Sequence, residues 1–156
     1  MRKIHVFVVA FFAIISTSFA QIKETRIVGN FTAIKASSSV NVVYTQGATQ
    51  SVVVSWEKDL MKYLKVEAKN NILKIYIDNN NYYKNIDTSK LLVSVTNKGV
   101  GSITVSSSAT FSIKNNLNVS LLKIDTSSSA DFSGTVTCNF IFIDVSSSSN
   151  VELKMS

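Results

Sequence analysis

Proline is absent from this chain, and cysteine and histidine each occur once. The single histidine, His5, lies in a segment that reads as an export leader, so residues 21–156 contain none. That excludes nucleophilic catalysis of the Ser-His-Asp or Cys-His kind. It also excludes a zinc site, which needs clustered cysteine or histidine. A lone Cys138 cannot form a disulfide within the chain. Its neighbours in the sequence pattern give it the reading of a small core residue. No run of lysine or arginine gathers the formal charge of +6, two units of which come from Arg2 and Lys3, so nucleic acid is not an expected partner.

The leader has the charged, apolar, small order of a secretory signal. Arg2 and Lys3 are followed by an apolar run from Val6 to Ile15, then by Ser18 and Ala20. Cleavage is expected between Ala20 and Gln21, with a single domain over 21–156. The apolar run is shorter than the roughly 20 residues a membrane span needs. No cysteine stands at the cleavage point, so a lipoprotein-type anchor has no attachment site. Export without disulfides fits a bacterial protein of the periplasm, outer membrane surface or extracellular space.

What is present is strand composition: Val, Ile, Leu, Phe and Tyr alternating with Ser, Thr, Asn and Lys. Four segments align on a serine run: Ile34 to Val42, Ile103 to Phe111, Ile124 to Phe132 and Ile143 to Val151. Between the last two runs, Leu117, Val119, Leu121, Leu122 and Ile124 recur at a constant shift as Val136, Cys138, Phe140, Ile141 and Ile143. Alternation places Ile124 and Ile143 inward and Lys123 and Phe142 outward. Serine suits a tight corner, being small and able to bond the backbone. The adjacent apolar pairs Leu121-Leu122 and Phe140-Ile141 mark a second bend.

This periodicity predicts an all-β fold, a right-handed parallel β-helix (β-solenoid) with coils of about 19–23 residues. A β-sandwich is the rival architecture. The pattern loosens between the first two serine runs. Lys65 to Ala68 is expected to pair with Ile72 to Tyr76 as a hairpin across Asn70-Asn71, and Lys58 to Leu64 to make one helical turn.

Chemistry-bearing candidates are few. Asp125 and Asp144 share a column, where a cation or Lys123 would offset their repulsion. Neither catalytic residues nor cofactors are expected. Tyr82, Tyr83 and Phe142 are the candidates for surface contact, the tyrosines because they sit in a polar loop and Phe142 because its parity points outward. The implied partners are a cell-surface glycan or protein, and a second copy of the chain through an exposed C-terminal coil.

The run "RIVGNFTAIKASSSVNVVYTQG" from Arg26 to Gly47, then "EKDLMKYLKVE" and "NNILKIYI", resembles the head GIN domain family of auto-transporter adhesins, known mainly from Bacteroidota. The resemblance covers Arg26 to Ser156 and is most specific at Phe31, Ile34, the serines from Ser37 and Gln46-Gly47. It implies a right-handed parallel β-helix carried to the periplasm or cell surface, an adhesin-like role and no assigned catalytic residues. Corners of the Ser-Gly-Ser-Gly-Asp kind, common in that family, are plain serine here. The sequence therefore reads as an exported adhesin-like binding module of the cell envelope. The alternatives are a carbohydrate-active enzyme of the β-helix type and a purely structural envelope protein.

Overall fold

Ser107 and Ser108 have φ of 54° and 59°, and the equivalent pairs Ser38-Ser39, Ser128-Ser129 and Ser147-Ser148 share this left-handed conformation. Two consecutive left-handed residues turn the backbone sharply, as in the turns of tight hairpins. In the computed structural model, which describes residues 21–78 and 86–156, each serine pair hands the chain from a strand in one sheet to a strand in the other. The second serine of the run at 106–108 is exposed, while Val105 and Ala109 on either side are fully buried. The corner thus ejects the middle of the run, and alanine rather than serine fills the narrow interior.

The strands are β1 (Gln21–Thr25), β2 (Ala33–Ala36), β3 (Asn41–Gln46), β4 (Ser51–Glu57), β5 (Leu64–Lys69), β6 (Ile72–Ile77), β7 (Leu92–Asn97), β8 (Ser102–Val105), β9 (Thr110–Asn118), β10 (Leu121–Thr126), β11 (Asp131–Thr137), β12 (Phe140–Val145) and β13 (Asn150–Met155). One sheet has the order β1-β4-β7-β3-β9-β11-β13, the other β12-β10-β8-β2-β6-β5. A 3-10 turn at Met61–Tyr63 precedes β5. The hairpin expected across Asn70-Asn71 is present, with β5 antiparallel to β6 and both asparagines at positive φ.

The expected right-handed parallel β-helix is not what the chain builds. Both sheets are mixed. β4 runs antiparallel to β1 and to β7, and β5 antiparallel to β6. The offset of 69 residues between the first two serine runs is not a stack of coils, because β2 pairs directly with β8 and β3 with β9. The sequence between them is an excursion. β4 reverses and the Asn-Asn turn reverses again, so a repeat read from serine corners does not extend to strands that lack such corners.

Where the corners do recur, like residues stand in register. Ile34, Ile103, Ile124 and Ile143 are Cα partners across β2, β8, β10 and β12. Val42, Phe111, Phe132 and Val151 are partners across β3, β9, β11 and β13. The corners are tied by the backbone. Ser39 N–H donates to Ser107 O, Ser108 N–H to Ser128 O and Ser129 N–H to Ser147 O, at 2.9–3.0 Å. These bonds continue the backbone pairing of the strands through the exposed corners. The inward residues of both sheets form one apolar core containing Trp56, Phe111, Phe132 and Ile124. Phe111 and Phe132 stack nearly parallel at 5.5 Å, and Tyr44 stacks on Phe111 at 6.3 Å. A bulge in β9 turns Ile113 into the space beside Gly134, where an added Cβ would lie 2.7 Å from Ile113 Cβ. Only glycine fits there.

Candidate functional site

The alternation that buries Leu122, Ile124 and Thr126 of β10 sends Leu121, Lys123 and Asp125 to the outer face. The next strand repeats this arrangement one position further along the sheet. Phe140 partners Leu121, Phe142 partners Lys123 and Asp144 partners Asp125. Phe140 is 66% exposed, Phe142 59% and Leu121 48%. Together they make an apolar patch on the outside of the six-stranded sheet, bordered by Lys123 and the two aspartates. Scattered exposed apolar residues need no explanation, but aromatics that neighbour each other on a flat strand face are characteristic of contact surfaces.

β12 and β13 are the outermost strands at the same end of their respective sheets. Their inward residues are therefore only partly covered, and Ile143 and Met155 remain 46% and 57% exposed. Apolar surface on β12 thus runs from the outer face, around the strand edge, to the inner face.

The stacked carboxylates Asp125 and Asp144 are Cα partners as the sequence pattern indicated. Lys123 Nζ lies 3.3 Å from Asp125 Oδ2, which offsets their repulsion locally. Among the described residues, no group of three or more His, Cys, Asp or Glu is gathered in one place. Cys138 is half-buried against the core. Trp56 is fully buried, and its indole N–H donates to Asp87 O at 3.1 Å. Phe142 takes the exposed position its parity required, whereas Tyr82 and Tyr83 lie outside the described residues, as does the leader at 1–20.

Sequence reasoning gave no role to the polar cluster at the far ends of β3, β7 and β9. Gln46 Nε2 donates to Lys98 O at 2.6 Å and to Asn118 O at 3.0 Å, while Gln46 Oε1 accepts from Asn118 N–H at 2.7 Å. Asn97 is buried, donating to Phe31 O and accepting from Gly99 N–H. Beside it lies an open groove of about 340 Å³ lined by Asn30, Phe31, Ala48, Gln50, Lys98 and neighbouring residues. The amides here hold three strand ends and the Phe31 segment together. The apolar patch on β10 and β12 was visible in the sequence only as the outward parity of Phe142. The exposure of Phe140 follows from the same alternation.

The family model described as "Putative auto-transporter adhesin, head GIN domain" matches residues 30–155. No curated protein matches. Solved structures share the fold at low identity. One is described as a "Putative lipid binding protein" from Parabacteroides distasonis, at 17% identity and TM-score 0.74, covering 87% of this chain and 60% of that one. Another is a "putative adhesin" from Parabacteroides merdae, at 20% identity and TM-score 0.72, covering 87% and 58%. A third is a "putative adhesin" from Bacteroides fragilis, at 13% identity and TM-score 0.62, covering 88% and 98%. The chain thus spans somewhat less than two thirds of the length of the first two.

Proposed function

Because the chain belongs to the head GIN domain family of auto-transporter adhesins, we propose that it is an exported, adhesin-like binding module of the cell envelope that acts by surface contact and not by catalysis. The observation that carries this reading is the outward patch of Leu121, Phe140 and Phe142 on paired strands of the six-stranded sheet. Aromatic rings presented side by side on a rigid strand suit recognition of a sugar face or of an apolar protein surface, since their positions are fixed before the partner arrives. The strand face holds these rings through backbone pairing to β10 and not through a mobile loop. The family's description as an auto-transporter adhesin supports export or display at the cell surface, and a leader with the composition of residues 1–20 agrees with it.

The test is an array of bacterial and host glycans and envelope proteins probed with the purified chain and with Phe140→Ser/Phe142→Ser. Binding that the double substitution removes supports the reading. Incubation with polysaccharides, followed by analysis for shortened products, is the counter-test. Cleavage by the purified chain would make it an enzyme and overturn the proposal.

A further inference from the structure

The outward residues of the six-stranded sheet line up in rows across its strands. One row reads Glu67, Lys74, Lys35, Thr104, Asp125 and Asp144 on β5, β6, β2, β8, β10 and β12, each the Cα partner of the next. Two aspartates stand toward one end of the row and two lysines toward the other. Lys35 and Lys74 are both exposed, on strands about 4.8 Å apart. Like charges directly opposed across strands are destabilising. At the aspartate end Lys123 offsets the repulsion, its Nζ lying 3.3 Å from Asp125 Oδ2. At the lysine end, among the described residues, no carboxylate lies within ion-pair distance of either ammonium group. Glu67, the Cα partner of Lys74, instead accepts from the Tyr76 hydroxyl at 3.2 Å.

We propose that the outer face of β5, β6 and β2 is a binding site for an acidic polysaccharide, with Lys35 and Lys74 holding its carboxylate or sulfate groups and Tyr76 stacking on a sugar ring. This is a second contact surface on the sheet, and it does not rest on the patch of Leu121, Phe140 and Phe142.

Tyr76 follows Lys74 by two residues on the same face of β6 and is the Cα partner of Lys65. Its ring is half-buried, and its hydrogen bond to Glu67 fixes the orientation. A ring so held offers an apolar body to the C–H face of a sugar, with lysines on two sides of it. Lys65 and Lys69, both exposed, carry the positive charge along β5. A lysine ammonium is a point charge with three donors on a flexible stem, so it meets a carboxylate or sulfate without a set bidentate geometry.

The acids within the patch select the partner class. Glu67 stands beside Lys74, and Asp78 lies 3.9 Å from Lys65 Nζ. A nucleic acid, with a phosphate at every step, would meet both as repulsive groups, and β5, β6 and β2 carry no arginine to grip phosphate in bidentate fashion. A polysaccharide separates its charges with hydroxyl groups, and these can donate to the same two carboxylates. The site has no signature in the sequence, because Lys35 and Lys74 lie far apart in the chain and meet only through the pairing of β2 with β6.

The test is binding of the purified chain to polygalacturonate and to dextran sulfate, measured beside fully methyl-esterified polygalacturonate and plain dextran, which keep the sugars without the charge. Binding to a charged polymer and to neither neutral one is expected. It should weaken as salt is raised, since exposed charges are screened beyond about 10 Å at 0.1 M. Lys35→Ser/Lys74→Ser should lower the affinity roughly tenfold, with the melting temperature held or raised because the opposed like charges are gone. Lys35→Arg/Lys74→Arg keeps the charge and should retain binding. Phe140→Ser/Phe142→Ser should leave it unchanged, so that failure of this site and failure of the aromatic patch are read separately. Binding to neither charged polymer, equal binding to the neutral ones, or undiminished binding by the double-serine variant overturns the proposal. Tighter binding to a single-stranded oligonucleotide, or to vesicles of phosphatidylglycerol, would overturn the assignment to a polysaccharide.

Discussion

Asn115 closes its side-chain amide on the backbone of Gln46. Oδ1 accepts from Gln46 N–H and Nδ2 donates to Gln46 O, both at 2.9 Å. In the β9 bulge, the side chain of Asn115 thus supplies the pairing that a neighbouring strand's backbone would give. The side chain of Gln46 in turn bridges Lys98 and Asn118. Gly47 follows because a Cβ there would approach Thr96 Cγ2 to 2.9 Å.

Gln46→Ala removes three hydrogen bonds at the strand ends and should lower stability by about 2 kcal/mol. Asn115→Asp keeps the acceptor but sets a carboxylate against Gln46 O, and should be at least as damaging as Asn115→Ala. Chemical denaturation of the three variants checks the order.

The serine corners hold eight left-handed residues in conformations that favour glycine. Ser128→Gly should therefore be neutral or stabilising. Ser128→Val, β-branched at a φ of 56°, should cost about 2 kcal/mol. Melting temperatures of the two variants should move apart. If the two melted alike, the left-handed geometry would not be what the corner demands.

Tyr44 is fully buried beneath the β3–β9 pairing, its hydroxyl donating to Asn97 O at 3.2 Å. Burial pushes its pKa up to about 12 from 10.0. The folded form therefore holds this proton more tightly than the unfolded form. Its contribution to stability is complete below pH 10 and is lost as pH rises toward 12. Absorbance titration of phenolate should show one tyrosine ionising last, and Tyr44→Phe should flatten the fall in stability over that window.

Ile124 partners Ile103 and Ile143 at the centre of the stacked isoleucine file and is fully buried. Ile124→Asp should cost about 4 kcal/mol, because an unpaired charge replaces a packed side chain. Asp125→Asn, on the outer face, should be mild. An unchanged melting temperature for Ile124→Asp would contradict the inward placement.

The corners, the outward parity of Phe142 and the Asn70-Asn71 hairpin were legible because each is a local signal: a serine run, a period of two, a turn dipeptide. The constant shift between the last two repeats also gave their register, which β10 and β12 reproduce residue for residue. The right-handed β-helix was not borne out, because strand direction between the first two corners is set by pairings that no local pattern encodes. β4 finds β7, which lies far ahead in the chain, and lies antiparallel to it. The left-handed serines were also hidden, since serine rarely takes that conformation and glycine, the usual marker, is absent from all four corners. The amide bridge from Asn115 to Gln46 spans 69 residues and has no sequence signature of its own.

The account rests on the outer face of β12 as the place where this molecule makes contact. The most direct measurement is binding of the purified chain to envelope preparations, compared between the unaltered protein and Phe140→Ser/Phe142→Ser, with Glu152→Lys as a control that leaves both phenylalanines in place. The account predicts that the double substitution lowers affinity by at least about tenfold, the loss expected when anchoring aromatics are removed, while its melting temperature stays close to that of the unaltered chain. Equal affinity of the double variant and the unaltered chain would contradict it.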